Sequence, residues 1–564
     1  MIFYDFEVFK EDWLVVLINP DKQTEDVIIN DAATLERYYS DNKDDIWVGY
    51  NSTRYDQYIL KGILCGFNPK KVNDFMIVKK KDGWQFSSLF RKIPLLSYDV
   101  MLSTYSLKQL EGYMGNEIKE TSVDFNIDRK LTQDEIDETV KYCKSDVYNT
   151  MEVFMKTIDE FNAVVELIKT FNLPITCISK TKAQLSAMIL GCTKRDWNDE
   201  FDISIVDTLK IGKYKAVLDW FKKCKFYDES FEYEIAGVKH IFGIGGVHGA
   251  KENYHSKGLI VHVDVNSYYP SLMIEYGLLT RTCSNPEKYK EIYNTRLQLK
   301  KEGKKKEQAP YKIVLNATYG ISKDKYNQAY DPRQANNVCI NGQLLLIDLI
   351  DKLEVIPGFE LIQSNTDGLI VKIPDSNSAF NQLDDICYEW EQRTRMGLGF
   401  DFIEEIWQKD VNNYIFKDTN GELECKGAYV KKLNDLDNNL PIVNKAIVDY
   451  LVHNVPIEQT INTCNDLKQF QMICKITYKY KCLVHGDKKL SERCVRVFAS
   501  KDERDCGLFK LHNEKETPDK FPSTPTQCFI VNEDVNTVSV PKKLDREFYI
   551  NMAKERSKDY GYVC

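Results

Sequence analysis

The sequence predicts a multidomain chain, α/β in its first part and α+β beyond. Three observations carry this. The 564 residues exceed what one hydrophobic core serves. Strand-like runs at 1–6 and 46–48 precede a helical stretch around 142–146, the mixture of an α/β domain. Farther on, a strand at 259–263, helical stretches at 286–301 and 312–320 and a hairpin at 361–372 follow one another, which reads as α+β. Apolar residues at 43% and aromatics at 12% are ordinary for a globular protein.

Bulk properties exclude several classes. The opening residues are acidic, with no basic leader, and no apolar segment reaches membrane-spanning length. Sixteen cysteines occur without a Cys-x-x-Cys pair, so reduced thiols in a cytoplasmic protein are expected. A net charge of −9 does not suggest a uniformly basic surface, but acidic clusters can coexist with a basic groove. Between 475 and 510, ten Lys and Arg face five acids, which suits either a solvated helix face or a phosphate-tracking surface.

In the first strand, a period of two puts Asp5 and Glu7 on one face. Asn51, Tyr55 and Asp56 follow the strand at 46–48. Tyr142 and Asp146, four apart on a helix, share a face, and Lys108 lies upstream in Ser106-Leu107-Lys108. Four carboxylates suit two divalent cations; surface acids on an α/β domain are the plainer alternative.

Residues 151–240 show mixed helical patterning and little chemistry. Then Gly243, Gly245, Gly246 and Gly249 let the backbone approach another chain, or form a tight turn. The apolar run 259–263 ends on Asp264, a poor place for a core residue and a good one for a metal ligand. Pro286 opens a helical stretch carrying Arg296 and Lys300 on one face; the next carries Lys312 and Asn316, with Gly320 expected to end it. Apolar runs flank Asn365-Thr366-Asp367-Gly368, a hairpin tip. A strand at 496–500 and a closing helix at 544–560 complete the chain.

Three stretches, Asp264-x-x-Ser267-x-Tyr269-Pro270-Ser271, Lys312-x-x-x-Asn316-x-x-Tyr319-Gly320 and Asn365-Thr366-Asp367-Gly368, resemble motifs A, B and C of the family B DNA polymerases. Motif C usually begins with Asp; here Asn365 stands there and brings no charge. Asp5-x-Glu7, Asn51-x-x-x-Tyr55-Asp56 and Tyr142-x-x-x-Asp146 resemble the Exo I, II and III motifs of proofreading exonucleases. Ile244-Gly245-Gly246 resembles the Tyr-x-Gly-Gly element, with Gly243 in place of Tyr, and Lys426-x-x-Tyr429 the Lys-x-Tyr element, one residue longer.

The resemblance implies an RNase H-like exonuclease domain over 1–165, a connecting region over 166–250, then a right-hand polymerase: palm over 251–285 and 321–432, fingers over 286–320, thumb and C-terminal helix over 433–564. It implies template-directed DNA synthesis with 3′–5′ proofreading. Two magnesium ions, with manganese as a possible substitute, would sit at Asp264, the Val265 backbone and Asp367, and another pair at Asp5, Glu7, Asp56 and Asp146. Tyr142 would position water and Lys108 would steady phosphate. Arg296, Lys300, Lys312, Asn316, Tyr269 and Tyr319 would bind the deoxynucleotide, with Tyr269 as sugar gate. Gly245, Gly246, Lys426 and Tyr429 would contact DNA. The implied partners are primer–template DNA, deoxynucleoside triphosphates and, in the exonuclease site, single-stranded DNA; no membrane is implied. The length suits the compact phage and plasmid enzymes. Only 48 positions separate Asp264 from Lys312, and 47 separate Gly320 from Asp367. That leaves no room for the inserts of the protein-primed branch, so a nucleic-acid primer is expected. A protein-primed polymerase and a non-catalytic DNA-binding relative remain the alternatives.

Overall fold

The computed structural model describes residues 1–102 and 105–561, and these form two compact units. One comprises Met1–Ser179, Leu433–Val443 and Glu458–Asn551; the other comprises Lys180–Lys432, Asn444–Ile457 and the described part of Met552–Cys564. The expected thumb span therefore divides: most of it clusters with the N-terminal residues, and its last three, 562–564, lie outside the described residues.

The first unit begins with β1 (Ile2–Val8), β2 (Trp13–Asn19), β3 (Thr24–Ile29), β4 (Ile46–Gly49) and β5 (Leu96–Asp99), ordered β3-β2-β1-β4-β5. β1 runs antiparallel to β2 and parallel to β4. Its β-branched and aromatic residues fit a buried strand; Tyr4, Phe6, Trp13, Trp47 and Leu60 fill the core beside it. The helix Gln133–Lys156 starts on a capping box of Thr132 and Glu135. The Cys143 thiol on this helix donates to the Asp5 carbonyl at 3.4 Å, which fastens helix to strand.

The second unit is built on nine strands: β6 (Phe231–Ile235), β7 (Val238–Phe242), β8 (His248–Ala250), β9 (Tyr254–Val265), β10 (Glu360–Asn365), β11 (Gly368–Lys372), β12 (Leu398–Asp410), β13 (Asn413–Asp418) and β14 (Leu423–Lys426). Their order is β14-β13-β12-β9-β11-β10-β8-β7-β6, and all neighbours are antiparallel. The helices Pro286–Lys301 and Lys305–Lys323 fall where two helical stretches were expected. Gly320 does not end the second one, which continues to Lys323. Ile321, only 3% exposed, packs with Ala187 and Ala329, and that contact holds the last turn in place.

The extended segment around 204–212 is bound to the helix Pro332–Leu353 by side chains taking the place of a strand partner. Asn337 and Asn341 accept from the amides of Ser204 and Val206 at 2.7 and 2.9 Å, and Asp348 and Asp351 from those of Lys210 and Gly212 at 2.7 and 2.8 Å. Four amides, two on each side of a turn at 207–208, thus meet side chains of the helix, which satisfies backbone groups that no sheet supplies.

The basic stretch 475–510 forms strands: Cys494–Ala499 lies between Met472–Lys475 and Cys528–Ile530 and pairs with both, and Tyr480–His485 pairs with Leu508–His512. Arg496, counted in the basic excess, is fully buried. Its guanidinium donates to the carbonyls of Glu533 (2.7 Å), Asn116 (2.7 Å) and Gly112 (3.2 Å) and to Gln471 Oε1 (3.1 Å). It is a structural clamp between the C-terminal strands and residues 112–116, and this is one reason they share a unit. The closing helix runs Arg546–Ser557.

Candidate active sites

In the first unit, β1 places Asp5 and Glu7 on the face toward the helix Gln133–Lys156, which brings Cys143 and Asp146. Ligand atoms of Asp5, Glu7 and Cys143 all lie within 4.8 Å of one another. Asp56 opens the helix Asp56–Leu64 and accepts from the Phe6 amide at 3.2 Å, between the two β1 acids. Asp99, at the end of β5, holds the preceding turn by accepting from the amides of Asn51 (2.9 Å) and Thr53 (3.0 Å). Lys108 pairs with Asp146 and, at 3.0 Å, with Glu111; Tyr142 also hydrogen-bonds Asp146, and the Lys108 ammonium lies 4.6 Å from the centroid of its ring. The six side chains predicted for this site, Asp5, Glu7, Asp56, Asp146, Tyr142 and Lys108, therefore converge, with Glu111 added.

Burial and mutual repulsion dominate the electrostatics of this cluster. Burial, then the charge of Asp146, pushes the Asp5 carboxyl up to about 7. Burial, then Asp5, pushes both Glu7 and Asp56 well above the carboxylate range, and burial raises Asp146 despite Lys108. Glu7 is 8% exposed, with a carboxylate oxygen within 4.8 Å of ligand atoms of Asp5 and Cys143. A buried carboxylate beside three others suits divalent metal.

In the second unit, the β10–β11 hairpin sets Asp367 beside Asp264. Gly368 pairs with Asp264 in the β11–β9 register, and the Val265 amide donates to the Asp367 carbonyl at 2.9 Å. A Cβ on Gly368 would sit 3.0 Å from both His262 Nε2 and the Val263 carbonyl, so a side chain there would crowd the pairing. Burial, then Asp367, raises the Asp264 carboxyl to about 6, while His262 and Lys300 pull it down. These two acids, with Val265, Ser267, Tyr269, Arg296, Lys312, Asn316 and Thr366, line a cleft of about 380 Å³.

Arg296 is 8% exposed; Nη1 donates to Ser267 Oγ at 2.6 Å and Nε to Gln308 at 3.3 Å. No carboxylate among the described residues pairs with it, and burial lowers its pKa. A half-satisfied buried guanidinium facing a cleft suits an anion with planar or tetrahedral oxygens. Ser267 has a left-handed backbone, φ 51°, at the start of the helix Tyr268–Glu275, strain of the kind that gathers at functional sites. Tyr269 and Tyr319 pack ring to ring at 4.5 Å. Lys300 acts on Asp264 from outside the cleft lining.

The glycine-rich segment before β8 is fixed from behind: Gln343 Nε2 donates to the carbonyls of Gly243 and Gly245, both at 2.9 Å. A Cβ on Gly246 would meet Thr366 Oγ1 of the hairpin at 2.6 Å, whereas one on Gly245 would meet nothing. Gly246 thus has a packing reason and Gly245 faces open space. Asn365 is engaged by His248: burial pushes that imidazole down, the Asn365 bond raises it, and the charge of Lys426 lowers it. Lys426 is therefore near the hairpin, while Tyr429 lies 4.3 Å below the Arg556 guanidinium.

No family model matches the chain. A stretch of 196 residues, 34% of the chain, is 23% identical to DNA polymerase 1 of Saccharolobus solfataricus and covers 21% of that protein. The chain so matches about a fifth of this curated relative's length. Among solved structures, the chain is similar over 100% of its length, and 78% of the other chain, to the family B DNA polymerase of the archaeon Pyrobaculum calidifontis, with 14% identity and a TM-score of 0.43.

The chain resembles the family B DNA polymerases. Within that resemblance two residues escaped the sequence reading. Cys143 lies inside Tyr-x-x-x-Asp, three before Asp146, and helical spacing alone could have placed it beside the acids. Ser267 belongs to the motif A pattern, but its bond to Arg296 depends on a backbone turn that the sequence does not announce. Among the described residues, no helix is long and apolar enough to cross a membrane.

Proposed function

We propose that the chain is a template-directed DNA polymerase that adds deoxynucleotides to a primer 3′-end, with a 3′–5′ proofreading exonuclease in its N-terminal unit. The observation that carries the reading is the pairing of Asp264 with Gly368, which sets Asp264 and Asp367 side by side in a cleft lined also by Arg296, Lys312 and Asn316.

Asp264, the Val265 backbone and Asp367 would hold divalent metal, magnesium or manganese. Bound there, the metal supplies Lewis acidity toward the primer hydroxyl and offsets charge on the leaving pyrophosphate. Arg296 offers forked donors to the triphosphate, Lys312 and Lys300 add point charges, and Asn316 adds an amide on the same helix face as Lys312. Tyr269, held against Tyr319, closes the space where a ribose 2′-hydroxyl would sit. Gly245 lets a template phosphate reach the backbone, Gly246 keeps the segment against the hairpin, and Lys426 and Tyr429 steady the primer end.

In the exonuclease, Asp5, Glu7, Asp56 and Asp146 would hold divalent metal, which would supply Lewis acidity, while Tyr142 would orient water and Lys108 would steady phosphate. The domain bounds proposed are 1–165 for the exonuclease, 166–250 for the connection, 251–285 and 321–432 for the palm, 286–320 for the fingers and 433–564 for the thumb. A nucleic-acid primer is favoured because helix Pro332–Leu353 and β10 occupy the interval from Gly320 to Asp367, leaving no inserted domain there. The test is extension of a labelled primer on a template with magnesium and with manganese. Incorporation of the complementary deoxynucleotide is expected; no incorporation with either metal refutes the polymerase.

A further inference from the structure

Two clefts open beside the acid cluster of the first unit, and one side chain stands in both. The first, about 640 Å³, is lined by Lys108 and Tyr142, which touch Asp146, and by Lys475 and Arg493. The second, about 680 Å³, is lined by Tyr55, next to Asp56, and by Arg54, Lys80, Lys81 and Trp84. Tyr478 lines both. It sits between the strands Met472–Lys475 and Tyr480–His485 and is 91% exposed.

The stem of this residue is fixed while its ring is not covered. The Tyr478 carbonyl accepts from Asn513 Nδ2 at 2.7 Å, and Arg493 donates to the neighbouring Thr477 and Tyr480 carbonyls at 2.8 and 3.1 Å. The Arg493 guanidinium lies 5.1 Å from the ring centroid. Trp84, across the second cleft, is 56% exposed. Large rings held in water over a basic lining are the elements of a stacking surface for unpaired bases. The charge agrees: the two linings carry six basic side chains against the acids Asp82, Glu120 and Asp124.

We propose that Tyr478 is the stacking platform of a single-strand nucleic-acid track that crosses the acid cluster, one cleft on each side. Phosphates lie along Arg54, Lys80 and Lys81 in one cleft and along Lys475 and Arg493 in the other. One ring takes one base face, which a base inside a duplex does not offer. The inference rests on the exonuclease reading and adds to it a binding residue supplied by the C-terminal strands.

The test is the affinity of the full chain for a fluorescent oligo-dT, measured by anisotropy in EDTA so that no cleavage occurs, and the rate at which magnesium-loaded protein degrades the same oligonucleotide. Tyr478→Ala should weaken binding and slow degradation by about 5- to 150-fold, the range for one lost base–aromatic stack, and Tyr478→Trp should keep both near wild type. Wild-type binding and degradation with an unchanged Tyr478→Ala variant overturns the track alone, as does a Trp variant as weak as Ala. A wild-type protein that neither binds nor degrades the oligonucleotide overturns the exonuclease reading itself.

Discussion

The two acid-bearing regions solve opposite electrostatic problems. On β1 and the helices Asp56–Leu64 and Gln133–Lys156 four acids converge, with Lys108 on Asp146; Glu7, Asp56 and Asp146 are buried. At the β9–β11 pairing only two acids meet, Asp264 half-buried and Asp367 exposed, and the same cleft carries Arg296 and Lys312. The first region gathers its negative charge at the acid cluster and its positive charge in the clefts beside it, apart from Lys108. The second can hold cation and polyanion together. Burial sets the difference: the first cluster is repelled and desolvated, the second is near water and nearly balanced in charge.

The largest expected effects break this comparison outright. Asp367→Ala should lower nucleotide incorporation by about 10³-fold, the loss of several kcal/mol of metal-mediated stabilisation, and leave degradation of single strands intact. Asp5→Ala combined with Glu7→Ala should do the reverse, measured on one preparation with both substrates. A double variant that loses both activities would show that the two regions are not separate sites.

A middling effect is expected at Arg296. Its replacement by Ala removes charge-assisted hydrogen bonds worth about 1.5–3 kcal/mol, so kcat/KM for the incoming deoxynucleotide should fall roughly 10- to 150-fold. Arg296→Lys should recover only part, because a point charge cannot make the fork. Equal activity of the Lys variant and wild type would mean that charge alone matters there.

Stability sharpens the contrast further. Without metal near neutral pH, Glu7→Gln should stabilise the protein by about 1–3 kcal/mol, because it removes a carboxyl that burial forces to take up a proton on folding, and should reduce the rise in melting temperature that manganese gives the wild type. Asp367→Asn, at an exposed position, should shift the metal-free melting temperature little. A Glu7→Gln variant less stable than wild type in EDTA would mean that the buried acids have partners of their own. The smallest effect is expected from Asn365→Asp: incorporation with magnesium should change by less than about tenfold, since the side chain at this position is engaged by His248. A larger gain would identify Asn365 as a direct ligand.

Much of both sites was legible because motifs spell out local geometry. Asp5 and Glu7 follow the two-residue period of a strand, Tyr142 and Asp146 the four-residue spacing of a helix, and Asn365 to Gly368 the tip of a hairpin. The boundaries of the helix Pro286–Lys301 emerged from Pro286 and the pattern after it. Local reasoning missed what depends on distant partners. Gly320 looked like a helix end, but Ile321 finds a core beyond it. Arg496 looked like part of a basic surface, but carbonyls from residues 112 and 116 surround it.

By itself the sequence determined which side chains could do chemistry and which secondary structure would carry them, because strand and helix periods act over a few residues. The tertiary structure alone decided that the C-terminal strands join the N-terminal sheet in one unit. It also left Arg296 without a carboxylate among the described residues and bonded it to Ser267 and Gln308. Each of these is set by contacts between residues far apart in the chain, and such contacts are chosen by packing and by the need of every buried polar group for a partner.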